Sequence, residues 1–125
     1  MQRTAIARTI LVVEDNTEVR ALFCEVLRTE GYQVLEAGNG AEAYALLRQA
    51  DQRVHVVLTD LRMPVMDGLQ LAAHLKADSR LSAIPVVLLS ATPMTNSWQA
   101  RKMFAALLTK PCAFKLLLST IEAVQ

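Results

Sequence analysis

The chain has no apolar run long enough to cross a bilayer. Its β-branched stretches, Ile10 to Val13 and Val86 to Leu89, fall far short of the about 20 residues that a membrane helix needs. The opening MQRTAIAR lacks the apolar centre of a secretory signal, so the chain reads as cytoplasmic, with no membrane partner. Cysteine is scarce. Cys24 and Cys112 form neither a CxxC pair nor a Cys/His cluster, which argues against a disulfide framework or a zinc site and leaves two reduced, structural thiols. His55 and His74 stand without metal-ligand companions and read as solvated or core histidines. Charge of one sign is also missing: 13 basic against 12 acidic residues leave a net +1, so no long-range field favours nucleic acid. No repeat, linker or low-complexity tract interrupts the chain.

What remains is a chain of 125 residues, 53% hydrophobic and 20% charged, enough for one domain with its own core. Residues 1–8 read as a short N-terminal extension and 9–125 as the domain. Short β-branched runs (TILVV at 9–13, YQVLEA at 32–37, HVVLT at 55–59, PVVLLS at 85–90) alternate with longer amphipathic stretches. Val19, Leu22, Phe23, Val26 and Leu27 recur at helical spacing, with Asn16 or Thr17 able to cap the start and Gly31 the stop. A second helix after Gly40 would bury Ala43, Leu46 and Leu47. A third after Gly68 would bury Leu71, Ala72 and Leu75, and a last one Phe114, Leu117, Leu118 and Ile121. Residues 93–104 predict a short fourth helix leading into a fifth strand around 105–109.

Strands apolar on both faces, alternating with helices, imply a parallel sheet covered on both sides and joined by right-handed crossovers. Five such units fit an α/β, three-layer, doubly wound flavodoxin-like (βα)5 fold in strand order 2-1-3-4-5. There the carboxyl ends of strands one and three flank the topological switch point. Strand one runs into Glu14 and Asp15 and strand three into Asp60, so three acids arrive at one sheet edge. Clustered like charges raise one another's pKa and call for a cation. Mg²⁺ suits them, because it prefers oxygen ligands and is usually held by one or two carboxylates plus a phosphate oxygen.

LVVEDN at 11–16, VVLTDLRMPVMDG at 56–68, LLSA at 88–91 and TKP at 109–111 together resemble the four signature segments of response-regulator receiver domains in two-component, His-Asp phosphorelay signalling. Carried over by position, the resemblance implies that Asp60 is the phosphoacceptor. Mg²⁺ would sit on Asp15, Asp60 and the backbone carbonyl of Arg62, helped by Glu14 through water. Ser90 would donate a hydrogen bond to the phosphoryl oxygen, Ala91 would leave that group room, and Lys110 would neutralise its charge. Phosphoryl transfer needs positioning and charge neutralisation more than covalent help, which suits these side chains. Lys110 precedes Pro111, which favours an extended lysine and permits a cis bond that would aim the ammonium inward; the resemblance implies that the bond is cis. Arg62 and Thr92 occupy positions where family side chains overhang the phosphoryl group and control its hydrolysis.

The pattern departs from the family where the signal is read out. Leu107 stands three residues before the lysine, in place of the common switch aromatic. Met103 and Phe104 replace a small Gly-Ala pair, and Cys112 follows the Lys-Pro where Phe is common. The expectation is a switch that moves the fourth helix and fifth strand without an aromatic rotamer change, to control a partner or output domain. Trp98, Met94, Leu107 and the Arg101-Lys102 pair could form that partner surface, although Trp98 fits a core plug equally well. On this reading the chain is no turnover enzyme. Its donor would be a sensor histidine kinase or a histidine phosphotransfer protein, and homodimerisation stays open. The main alternative is a receiver-fold interaction module that signals without phosphorylation. A phosphatase of the haloacid-dehalogenase type would need an acid where Arg62 stands, and a nucleotide or flavin binder would need a phosphate loop where EDNTE stands.

Overall fold

Apolar residues that alternate sides along five short strands divide the core in two. The computed structural model describes residues 8–49, 51, 53–94 and 97–125. In chain order it runs β1 (Thr9–Val13), α1 (Thr17–Thr29), β2 (Gln33–Ala37), α2 (Gly40–Gln49), β3 (Val56–Thr59), α3 (Gly68–Ala77), β4 (Val86–Ser90), α4 (Trp98–Met103), β5 (Ala106–Thr109) and α5 (Phe114–Val124). All neighbouring strands are parallel, in the order β2-β1-β3-β4-β5. This is the flavodoxin-like order expected from the sequence. The expected extension at 1–8 lies outside the described residues except for Arg8.

On one side of the sheet Leu11, Val13, Val57 and Leu88 pack with Ala43 and Leu47 of α2, Leu71 and Leu75 of α3, and Ala100 of α4. On the other side Ile10, Val12, Val56, Leu58, Val87 and Leu89 pack with Cys24 and Leu27 of α1 and Leu117 and Ile121 of α5. The period of two along each strand thus sorts side chains between two helical layers. Truncating any of the fully buried leucines is worth about 2–5 kcal/mol in lost transfer energy and cavity.

Local chemistry fixes the helix ends. Asn16, rather than Thr17, caps α1 by accepting from the Val19 N–H at 3.0 Å. Asp67 and Gln70 form a reciprocal capping box at α3. After α1, Gly31 takes φ of +97°, the left-handed conformation that ends a helix most easily with glycine.

Three expectations need correction. Leu22 is 48% exposed, while Cys24 is fully buried. Residues two apart on a helix lie about 200° apart, so once Cys24 and Leu27 face the sheet, Leu22 is turned to the rim. Phe114 is 39% exposed because it opens α5 above the core, where it meets Phe23 edge-on at 6.3 Å between ring centres. The fourth helix spans only Trp98–Met103, capped by Ser97 and stopped by extended Phe104; Thr95 and Asn96 of the expected helix lie outside the described residues. Trp98 is 68% exposed with Lys102 stacked 4.4 Å above its ring, so it does not plug the core. Among the described residues no helix is long and apolar enough to cross a membrane.

Candidate functional site

Register brings the acids together. Val13 of β1 lies opposite Thr59 of β3, so the next residues, Glu14 and Asp60, leave adjacent strands side by side. The Asp60 N–H donates to the Val13 carbonyl at 3.0 Å, and the Glu14 N–H to the Ala37 carbonyl at 3.1 Å. One carboxylate oxygen from each of Glu14, Asp15 and Asp60 lies within 4.8 Å of the other two. Glu14 is buried, Asp60 half-buried and Asp15 exposed, so the cluster opens to solvent on one side.

Two strands further along, Ser90 ends β4 and pairs with Thr109 of β5, and the Lys110 N–H donates to the Ser90 carbonyl at 2.8 Å. The Lys110 side chain then reaches back across β4. Its Nζ lies 3.2 Å from Glu14 Oε1 and 3.5 Å from Asp60 Oδ2. The Lys110–Pro111 bond is cis. The Ser90 hydroxyl, buried, accepts from the Thr92 N–H at 3.1 Å and, among the described residues, donates to no acceptor. Ala91, Thr92 and Arg62 are exposed. Leu107 is half-buried opposite Leu88 and packs into the α2–α4 side of the core together with Met103 and Phe104.

The electrostatics follow from this packing. Burial pushes the Glu14 carboxyl above its ordinary range, and the charge of Asp60 adds to the effect. The Asn16 N–H, donating to Oε2 at 3.1 Å, and Lys110 oppose it. Asp60 divides its oxygens: Oδ1 accepts from the Leu61 N–H at 2.8 Å, while Oδ2 faces Lys110. An all-oxygen set with one buried and two accessible carboxylates fits a hard divalent cation that keeps some of its water. Cys24, by contrast, lies away from this edge, and burial pushes its thiol up to about 11, which makes it unreactive.

The loop after Asp60 is tightly drawn. The Gly68 N–H donates to the Leu61 carbonyl at 2.8 Å, and a Cβ on Gly68 would clash with the Asp60 carbonyl oxygen. Thr59 donates its hydroxyl to that same oxygen at 2.8 Å. At the loop tip the Met66 N–H donates to the Pro64 carbonyl at 2.7 Å across Val65, whose φ of +71° makes this a γ-turn of the rare, strained hand. The Met66 carbonyl in turn accepts from the Gly40 N–H at 2.9 Å, and a Cβ on Gly40 would lie 2.7 Å from that oxygen. The end of β3, α2 and α3 are therefore locked together through two glycines.

Glu14 and Asp60, with Lys110, line a small hollow of about 10 Å³. The roomier cleft, about 420 Å³, lies away from them and is lined by Asp51, Arg53, His55 and Arg80 among others. His55 is half-buried there and accepts the Thr9 N–H through Nδ1 at 3.0 Å; burial, then Arg53 and Arg8, lower its pKa. His74 is exposed and meets the Tyr44 ring edge-on. Sequence reasoning missed Arg20, whose guanidinium donates to the Glu14 carbonyl at 2.7 Å. The signal available was its place in the first turn of α1, where a cation opposes the helix dipole.

Comparison with known proteins converges on one family. The family model described as the response regulator receiver domain matches residues 10–122. Protein PilH of Pseudomonas aeruginosa is 37% identical over 117 residues, covering 92% of this chain and 95% of PilH. The phosphate regulon transcriptional regulatory protein PhoB of the same organism is 31% identical, and there the chain spans only about half of the relative, 52%, while 95% of the chain is covered. The structure of response regulator protein TrrA from Thermotoga maritima, in complex with Mg²⁺-BeF, superposes with a TM-score of 0.85 at 25% identity, covering 94% of this chain and 99% of TrrA.

Proposed function

Since the chain belongs to the response regulator receiver domain family of two-component signalling, we propose that it is a phosphoacceptor that takes a phosphoryl group onto Asp60 from a phosphohistidine. The observation that carries this reading is Lys110 Nζ, held 3.2 Å from Glu14 and 3.5 Å from Asp60 at the open edge of the sheet. A lysine brought across a strand to two acids is placed for a charge that arrives between them.

Asp60 Oδ2 is the attacking oxygen, since Oδ1 is engaged by the Leu61 N–H. The bond from the donor nitrogen to phosphorus breaks as the bond to Oδ2 forms, and the phosphoryl group is held in line. Asp15, Asp60 and the Arg62 carbonyl, with Glu14 through water, would hold Mg²⁺, which would supply charge neutralisation on the phosphoryl oxygens. The Mg²⁺-BeF complex of TrrA supports this assignment by similarity. Lys110 exchanges part of its pairing with the acids for the phosphoryl oxygens, and Ser90 turns its free proton towards them, with Ala91 too small to obstruct. Arg62 and Thr92, exposed beside the site, set how readily water reaches the phosphoryl group.

Residues 9–125 act as the receiver domain and 1–8 as an extension. The donor is a sensor histidine kinase or histidine phosphotransfer protein. The output is a change at α4, β5 and α5 that controls a partner or output domain. Exposed Trp98, with Lys102 above it, and half-buried Leu107 support a readout there without an aromatic at the usual switch position.

Intact mass after incubation with acetyl phosphate tests the reading. A single phosphoryl addition that requires Mg²⁺ and is lost in Asp60→Asn is expected. A folded, Mg²⁺-binding wild type that never gains mass would instead point to a receiver-fold module that signals without phosphorylation.

A further inference from the structure

The peptide unit that joins Glu14 to Asp15 carries the carbonyl of Glu14, and whatever fixes that carbonyl fixes the directions in which both acids leave the chain. Its N-terminal side is already pinned by the bond from the Glu14 N–H to Ala37. The carbonyl itself accepts from Arg20 Nη1 at 2.7 Å, and Arg20 Nε donates to Glu36 Oε1 of β2 at 3.1 Å. Glu36 is held from a second side by Arg28 at 3.5 Å. The turn after β2 passes close by: a Cβ on Gly38 would lie 3.6 Å from Arg20 Nη1. The Arg20 side chain is only 19% exposed, although it sits in the first turn of a surface helix.

A cation in the first turn opposes the helix dipole, and a cation beside a divalent-cation site repels the ion it would help to bind. Both effects select against an arginine whose role is charge alone. The planar fork, reaching the Glu14 carbonyl and Glu36 at once, is something only arginine supplies in this place. We propose that Arg20 is a positioning residue for the cation site, clamping the Glu14–Asp15 peptide against β2 so that the acids point into the cluster with Asp60. This rests on the reading of that cluster as a Mg²⁺ site.

Charge and position predict opposite signs, which makes the test decisive. Removing a nearby positive charge tightens Mg²⁺ binding; releasing the peptide weakens it. Mg²⁺ titration of the full chain without any phosphoryl donor, followed by calorimetry or by the amide signals of Asp15 and Asp60, reads the difference. Arg20→Met is expected to raise the Mg²⁺ dissociation constant about tenfold, the lower end of the effect of losing a partner that orients a metal ligand. In acetyl phosphate assays the effect should fall on the Mg²⁺ concentration for half-maximal rate, and not on the plateau. If Arg20→Met fails to fold, Arg20→Lys keeps the charge and loses the fork, and should bind Mg²⁺ at least about threefold more weakly. A folded variant that binds Mg²⁺ as tightly as the wild type, or more tightly, overturns the inference while leaving the functional reading intact. A wild type that takes up no Mg²⁺ overturns the functional reading, and this inference with it.

Discussion

Gly68→Ala tests how closely α3 is drawn against Asp60. The added methyl carbon would clash with the Asp60 carbonyl oxygen and lie 3.2 Å from both the Asp60 carbonyl carbon and the Leu61 Cα. All three obstacles are backbone, so no side chain can swing away, and the start of α3 must shift outward. Forcing a methyl group into a packed site costs about 1–3 kcal/mol, and immovable neighbours put this case at the upper end. The gain in helix propensity from Gly to Ala is at most about 1 kcal/mol in a helix interior and smaller at the first position. The net expectation is a loss of about 2–3 kcal/mol. For a chain of 125 residues this corresponds to a fall in Tm of about 10 °C. Urea and thermal unfolding should be run beside two controls. Gly38→Ala meets only ordinary contacts, 3.5 Å from Glu42 and 3.6 Å from Arg20, and should stay within about 0.5 kcal/mol of the wild type. Gly31→Ala has open space but a φ of +97°, and should lose about 1 kcal/mol through backbone strain alone. A Gly68→Ala protein as stable as Gly38→Ala would refute the close approach, and with it the claim that this glycine fixes the loop after Asp60.

Two further outcomes are expected. Because the Glu14 carboxyl holds its proton more tightly in the folded than in the unfolded chain, Mg²⁺-free protein should gain stability as pH falls from 7 through the raised value towards the ordinary 4.5. Glu14→Gln should flatten that part of the profile and stabilise the metal-free protein at neutral pH, as read by urea melts in chelator. An unchanged profile would show that Glu14 does not carry the effect. Val65, at φ +71° and 82% exposed, gains almost nothing from burial, so Val65→Asn should stabilise the fold by about 1 kcal/mol in chemical denaturation, by placing a residue that tolerates the left-handed region in the γ-turn. A loss of stability there would mean that the valine side chain has a packing role.

Some features were legible from residue order because they depend on neighbours in sequence. The five alternating units, Asn16 and Gly31 at the ends of α1, and the acids directly following β1 and β3 all follow from local periodicity and turn chemistry. Helix faces were less legible. A 3.6-residue repeat defines a broad apolar stripe, and only contact with the sheet decided that Cys24 turns inward and Leu22 outward, or that Phe114 rests on Phe23 at the rim. The short α4 shows the same limit, since Ser97 and Phe104 bound a helix whose apolar residues continue past both ends.

The site divides in the same way. The sequence by itself determined which chemistry is present: three carboxylates, a hydroxyl and a lysine at four strand ends, in an order that one topology gathers at one edge. Only the tertiary structure decided how these groups face one another. The register of Val13 against Thr59 places Glu14 beside Asp60, and the span across β4 brings Lys110 to both. Long-range packing buries Glu14 and leaves Asp15 open, and the reach from α1 to β2 turns Arg20 into a clamp. The physical reason is that carboxylate chemistry belongs to the residue, whereas distance, desolvation and hydrogen-bond direction belong to groups far apart in sequence that only the folded sheet brings into contact.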